Sequence, residues 1–168
     1  MSQKIIPKFL ITKLSHCYSI PLKATSGSSG YDLFAANYED IILKPGNTAL
    51  VPTGIKIDLD TDKDILYEAQ IRSRSGMSAK NSVVVLNSPG TIDADYKGEI
   101  FVILINHHKT EDFIIKRGAR IAQLVIQPIF ATQIYCEIDN LNDDLGSNNS
   151  NFNNFKIRGS GGFGSTGE

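Results

Sequence analysis

Glu99-Ile100-Phe101-Val102-Ile103-Leu104-Ile105-Asn106 is the stretch whose reading decides the fold. Its six central residues are all apolar and four of them are β-branched isoleucine or valine, with no helical spacing of polar groups, so it reads as a buried strand. The segments around it repeat the theme. Residues 82–86 (SVVVL), 113–116 and 121–129 are short runs of the same kind, and 132–138 continues the pattern. Residues 54–60 (GIKIDLD) alternate apolar and polar side chains, as a half-buried strand does. Turn chemistry separates the runs: Pro45-Gly46, Pro52-Thr53-Gly54, Pro89-Gly90, Lys97-Gly98 and Arg117-Gly118. Only 75–81 reads as helix, for a turn or two. Many short strands at this spacing predict an all-β sandwich or barrel.

The chain has 168 residues, enough for one domain whose core needs no staple. Its 17 basic and 18 acidic side chains are interspersed and give a net charge of −1. A dedicated nucleic-acid binder would show a basic stripe, so nucleic acid is not the expected partner. A small anion needs only local positive charge and stays possible. Cys17 and Cys136 match no metal or redox spacing and are expected to be reduced thiols. The apolar stretch 5–11 is interrupted by Pro7 and Lys8 and is too short for a signal peptide or a membrane span. A soluble cytoplasmic protein without membrane partners is expected.

Composition shifts after the β body. Seven of the sixteen residues 139–154 are asparagine, which marks a flexible linker. Arg158-Gly159-Ser160-Gly161-Gly162-Phe163-Gly164-Ser165-Thr166-Gly167-Glu168 then sets five glycines around one aromatic ring, behind an arginine. Glycine lets backbone N–H groups approach an anion closely. Arginine offers a planar fork for phosphate, and the phenylalanine a flat face for a base. Gly159 and Gly164 have the spacing of a phosphate-binding P-loop, but no lysine follows Gly164 and no strand precedes the run, which excludes that motif. The chain thus divides into a β body at 1–138, an asparagine-rich tether at 139–156 and a glycine-rich lid at 157–168.

Four segments of the body carry groups suited to chemistry. Arg74-Ser75-Gly76 opens the predicted helix, where N–H groups and an arginine can clamp phosphate, although the triplet alone favours Ser75 as a plain N-cap. Residues 87–98 (NSPGTIDADYKG) lie between two buried strands and should form a hairpin or pocket. There Asn87 offers the donor and acceptor that a uracil edge needs. Asp93 and Asp95 share a face of an extended chain, and one carboxylate could serve as a general base on water, although aspartates are also ordinary turn residues. Asp32, in Ser29-Gly30-Tyr31-Asp32-Leu33-Phe34-Ala35-Ala36, either pairs with a buried arginine or helps to hold a hydrated cation. Arg117-Gly118-Ala119-Arg120-Ile121-Ala122-Gln123-Leu124 reads as a turn into a strand, with Gln123 on the face opposite Ala122 and Leu124.

Taken in order, SGYDLFAA, RSG, NSPGTIDADYKGE, RGARIAQLV and RGSGGFGSTG resemble the five motifs of the homotrimeric dUTPases, over nearly the whole chain apart from the N-terminus and the tether. The resemblance implies a jelly-roll subunit with one short helix and a flexible C-terminal arm. It implies a homotrimer with active sites shared between subunits, and Mg²⁺-dependent hydrolysis of dUTP to dUMP and pyrophosphate. That reaction would keep uracil out of DNA and supply dUMP for dTMP synthesis. By the same resemblance Asp93 is the catalytic base that activates the water attacking the α-phosphorus. Tyr96 packs under the deoxyribose. Asn87 and the backbone at Thr91 and Ile92 pair with uracil, with a backbone contact near Phe101. Arg74, Ser75 and Gly76 hold the phosphates, Gln123 supports them, and Asp32 acts on magnesium through water. Arg158 grips the terminal phosphate, Phe163 stacks on uracil, and Gly164, Ser165 and Thr166 close around the phosphates. Two departures stand out: Ala119 replaces the aspartate common in RGDR, and Ser73 replaces the proline usual before RSG. The rival readings are a dCTP deaminase, which shares the fold, and a non-catalytic jelly-roll binding or shell protein.

Overall fold

A computed structural model describes residues 8–59, 65–130 and 132. The chain runs through β1 (Leu10–Lys13), β2 (Tyr31–Phe34), β3 (Ile41–Leu43), β4 (Thr48–Pro52), β5 (Ile55–Asp58) and β6 (Leu66–Arg72). It continues through the helix α1 (Ser75–Asn81), then β7 (Val83–Val85), β8 (Gly90–Ile92), β9 (Phe101–Asn106), β10 (Phe113–Ile115) and β11 (Arg120–Ile129). The all-β expectation is met by a jelly-roll sandwich, with α1 the helix among the described residues and no closed barrel. The expected runs at 54–60, 82–86 and 113–116 contain β5, β7 and β10, and 121–129 lies within β11. Apart from Thr132, which is in no strand, the expected strand at 132–138 lies outside the described residues, as do the tether and the lid.

One sheet has the order β2-β11-β6-β8 and the other β4-β9-β7, flanked by the ribbons β1-β5 and β10-β3. Alternation sets the core. In β6, Tyr67, Ala69 and Ile71 turn inward, while Glu68, Gln70 and Arg72 turn outward. From the facing sheet Val102 and Leu104 meet them, joined by Leu33, Val51, Ile55 and Leu124. Burying each large aliphatic side chain stabilises the fold by about 1.5–3 kcal/mol. Asn106 is a polar exception at 0 % exposure. Its amide donates to the Leu43 and Glu111 carbonyls at 2.9 and 2.8 Å, and its oxygen accepts the His108 N–H at 2.9 Å. Both ends of its side-chain amide are therefore used, tying β9 to the end of β3 and to the loop that follows β9.

The expected hairpin at 87–98 takes a different form. β7 and β9 do pair with each other, Val83 with Asn106 and Val85 with Leu104. The chain between them leaves that sheet, and its middle, β8, pairs with β6 in the opposite one, Ile92 with Ala69 and Gly90 with Ile71. The segment is thus an excursion that bridges the two sheets. Contrary to the simple hairpin, its strand pairs with β6 and not within the segment, because β6 offers an edge that the β-branched Thr91 and Ile92 can extend.

Candidate active site

Asp32, Arg72 and Gln123 occupy one row across the sheet. Gln123 of β11 is in register with Asp32 on one side and Arg72 on the other, so their side chains share the face away from the core. The chain leaving β6 then delivers Arg74 to the same place. Arg74 Nε–H donates to Asp32 Oδ1 at 2.8 Å, and Arg120 Nη1–H donates to Oδ2 at 3.2 Å. Of the two alternatives for Asp32, the structure holds the arginine pairing. Its carboxylate is only 16 % exposed, whereas the Arg120 side chain is 54 % exposed. One acid between two arginines leaves the cluster with surplus positive charge.

That charge faces a cleft of about 410 Å³, lined by Ser28, Ser29, Arg74, Ser75, Gly76 and Arg120 among others. Arg74 is the N-cap residue of α1 and no side chain caps the helix. Ser75 is therefore the first helical residue and not a capping group, so its hydroxyl stays available at the cleft. The helix closes at Ser82, left-handed at φ 56°, whose N–H donates to the Ser78 carbonyl at 3.0 Å. Met77 anchors it to the core.

Gln123 acts as a strut. Its amide donates to the Ser73 carbonyl at 2.9 Å and so fixes the approach to Arg74. Gly30 makes room for it, since a Cβ there would stand 2.6 Å from Gln123 Oε1. Ser73, in place of proline, also has work for its side chain: its hydroxyl oxygen accepts the Val85 N–H at 2.9 Å and links the two sheets. Ala119 acts through its backbone, its carbonyl accepting the Ala35 N–H at 2.9 Å. Loss of the aspartate there leaves the turn intact.

The excursion 87–98 forms a second cluster. The Ser88–Pro89 peptide is cis. Asn87 lies against Gly90, its Nδ2 3.1 Å from where a Cβ would be. Thr91 is exposed, and Ile92, Asp93, Asp95 and Tyr96 are half-buried. A turn closes where Tyr96 N–H donates to the Asp93 carbonyl at 3.1 Å, and the phenol donates to the Glu99 carbonyl at 2.7 Å. Burial, then the charge of Glu99, push the Tyr96 pKa up, so the phenol stays a donor. Phe101 opens β9 on the smaller sheet, opposite Pro52.

The two clusters stand at different levels of β6. Ile92 is level with Ala69, five positions before Arg74, and Asp93 lies one step further away. At about 3.3 Å per residue that separates Asp93 from Arg74 by roughly 20 Å. Arg158, Phe163, Gly164, Ser165 and Thr166 lie outside the described residues.

Two participants were missed by motif reading. Arg120 sits inside RGARIAQLV, where the second arginine was the available signal. Gly30 sits inside SGYDLFAA, but its reason, the closeness of Gln123, is visible only in three dimensions. Among the described residues no three His, Cys, Asp or Glu side chains cluster to seat a metal ion. No helix among them is long and apolar enough to cross a membrane.

Residues 17–167 match the family model described as dUTPase. The chain is 48% identical over 163 residues to the deoxyuridine 5'-triphosphate nucleotidohydrolase of Rickettsia canadensis, covering 96% of this chain and 98% of the relative. It is 50% identical over 153 residues to the protein of the same name from Bartonella bacilliformis, covering 89% and 82%. Among solved structures, a dUTPase from phage phi11 of Staphylococcus aureus, described with a coordinated structural Mg(II) ion, superposes with TM-score 0.67. At 22% identity, covering 80% of this chain and 99% of that one, it speaks for the fold alone. A Staphylococcus bacteriophage 80alpha dUTPase mutant with dUpNHpp gives TM-score 0.64 at 25% identity, covering 97% and 100%.

Proposed function

The chain belongs to the dUTPase family, and from that premise we propose how its residues hydrolyse dUTP to dUMP and pyrophosphate. Membership makes it a dUTP diphosphatase, a hydrolase of nucleotide metabolism. The observation that carries the residue-level reading is the cleft at α1, where Arg74 and Arg120 outnumber Asp32 beside Ser75, the first residue of a helix that no side chain caps.

In this reading Arg74, Ser75 and the Gly76 N–H hold the phosphate chain, and Gln123 fixes their approach. Arginine suits the task because its fork matches phosphate oxygens. Asn87 and the backbone at Thr91 and Ile92 meet the uracil edge, with backbone near Phe101. A wrong base would leave buried polar groups unpaired, at about 1–3 kcal/mol each. Tyr96 lies under the deoxyribose. The Asp93 carboxylate takes a proton from water as the water oxygen attacks the α-phosphorus. The bond from that phosphorus to the bridging oxygen breaks, and pyrophosphate leaves. Arginines near the leaving group offset its growing charge. Arg158, Phe163, Gly164, Ser165 and Thr166 complete the enclosure.

Magnesium belongs to the proposal as a companion of the triphosphate. Both Asp32 oxygens face guanidinium groups, so this carboxylate does not fit a direct metal ligand, and the described residues supply no substitute cluster. A contact through water is the role proposed for Asp32, and the chain's own groups carry the steps above.

A homotrimer with shared sites is part of the same reading. The roughly 20 Å between Asp93 and Arg74 in one chain supports it, since both must act on one triphosphate. So does the outer face of the β4-β9-β7 sheet. There Leu50 pairs with Ile103, Leu86 follows, and both leucines are 50 % exposed. Action in the cytoplasm, where the nucleotide substrate is met, completes the proposal.

Pyrophosphate release measured across dUTP, dTTP, dCTP and UTP tests it. Release confined largely to dUTP is expected. Ammonia liberated from dCTP would instead establish the deaminase reading.

A further inference from the structure

Glu99 lies just outside the groups assigned to substrate, yet three bonds converge on it. Gly54 N–H donates to Glu99 Oε1 at 2.8 Å, and His16 Nε2–H donates to the same oxygen at 2.8 Å. The Glu99 carbonyl in turn accepts the Tyr96 phenol at 2.7 Å. His16 and Glu99 are 83 positions apart, and their side chains are only 19 % and 15 % exposed.

The groups that hold Glu99 are themselves held. The backbone around His16 turns tightly, Cys17 N–H donating to the Leu14 carbonyl at 3.0 Å and Leu14 N–H to the Gly54 carbonyl at 2.8 Å. Gly54 has φ +69°, and a Cβ on it would fall onto the Cys17 backbone, so this turn can approach only a glycine. Arg117 Nη2–H donates to the His16 carbonyl at 2.7 Å, while its Nη1 grips the Ala36 and Asn37 carbonyls at 2.9 and 3.1 Å. On the other side, Lys97 Nζ donates to Asp58 Oδ1 at 2.8 Å. The end of the excursion is therefore pinned to β5 and to the 14–17 turn, and the phenol is fixed at its oxygen as well as at its backbone.

We infer that Glu99, clamped by His16 and Gly54, is a positioning residue for Tyr96 and thereby sets the selection of deoxyribose over ribose. The inference rests on the proposed packing of Tyr96 against the sugar. Excluding one hydroxyl demands a ring placed to within a fraction of an ångström, and displacement of about 1 Å in a site can cost a hundredfold. A tyrosine held only through its Cβ would retain freedom about two side-chain torsions. The bond to the Glu99 carbonyl removes that freedom, provided the carbonyl cannot move. The carboxylate's two donors supply that condition.

The test is the ratio of kcat/KM for dUTP to that for UTP, measured in Glu99→Ala, Glu99→Gln, His16→Ala, Tyr96→Ala and the Glu99→Ala/Tyr96→Ala double variant. Glu99→Ala should lower the ratio about tenfold, chiefly by admitting UTP at lower KM, and His16→Ala should lower it by less. Glu99→Gln should keep it within about threefold, because its amide oxygen still accepts both N–H groups. The double variant should be no less selective than Tyr96→Ala alone, since the two act in series. A wild-type ratio in Glu99→Ala and His16→Ala, with selectivity lost in Tyr96→Ala, overturns the positioning role and leaves the Tyr96 reading standing. So does a Glu99→Gln as unselective as Glu99→Ala. Should Glu99→Ala fail to fold, His16→Ala and Glu99→Gln decide by the same criteria. An unchanged ratio in Tyr96→Ala overturns the underlying sugar reading itself.

Discussion

Arg74 Nε and Asp32 Oδ1 stand 2.8 Å apart although 42 positions separate them, and their ion pair joins β2 to the start of α1. Arg74 also donates through Nη1 to the Arg120 carbonyl at 3.2 Å. This arginine is thus oriented before any anion arrives, which lowers the entropy lost on binding. Arg74→Ala should reduce kcat/KM for dUTP about ten- to a hundredfold, the effect of one charge-assisted hydrogen bond. Steady-state pyrophosphate release checks this, and a change of less than twofold would remove Arg74 from the phosphate site.

Asp93→Asn keeps the size and most of the polarity of the side chain but cannot accept a proton from water. Turnover should fall by about 10²–10⁴ while dUTP affinity is retained. Calorimetric binding beside single-turnover hydrolysis separates the two effects. Near-normal turnover would exclude Asp93 as the base.

Gly30→Ala places a methyl group against the Gln123 amide and should displace it from the Ser73 carbonyl. Overpacking of this kind costs about 1–3 kcal/mol. Gln123→Ala in the same chain should recover much of that loss, which urea denaturation of the four members of the cycle would reveal. Additive effects would mean that the two residues do not interact.

Asn106→Ala strands two carbonyls and one N–H inside the protein. The cost should be about 2–4 kcal/mol, read from chemical denaturation. A loss below about 0.5 kcal/mol would show that water replaces the amide.

Tyr96 gives a pH dependence with a defined sign. Its pKa is raised in the folded chain by burial and by Glu99. The folded state therefore disfavours the phenolate. Relative to Tyr96→Phe, stability should be constant below the usual tyrosine pKa of about 10 and should be lost as pH rises through the raised value. Parallel denaturation of the two proteins from neutral to alkaline pH measures the difference, and parallel curves throughout would refute the perturbed phenol.

Removal of residues 157–168 tests the lid read from the glycine-rich sequence. The shortened chain should fold and assemble as before while its turnover of dUTP falls at least about tenfold, since an open site admits bulk water. An unchanged rate would deny those residues a place in catalysis.

What the sequence determined by itself was the class of fold and the identity of the chemical groups. Runs such as 100–105 and 121–126 read as buried strands from their β-branched content, the Pro and Gly pairs end them, and 75–81 is helical, as observed. β6, by contrast, reads LYEAQIR, whose Glu, Ala, Gln and Arg favour helix locally; it is a strand because β11 and β8 flank it. β3 and β8, of three residues each, are too short to carry a period of their own. The tertiary structure alone decided that Asp32 lies between Arg74 and Arg120, that the 87–98 segment crosses between sheets, and that His16 reaches Glu99. Local preference can specify which face of a strand is apolar, but register and neighbour order arise from contacts between distant segments, and no short window of sequence contains both partners.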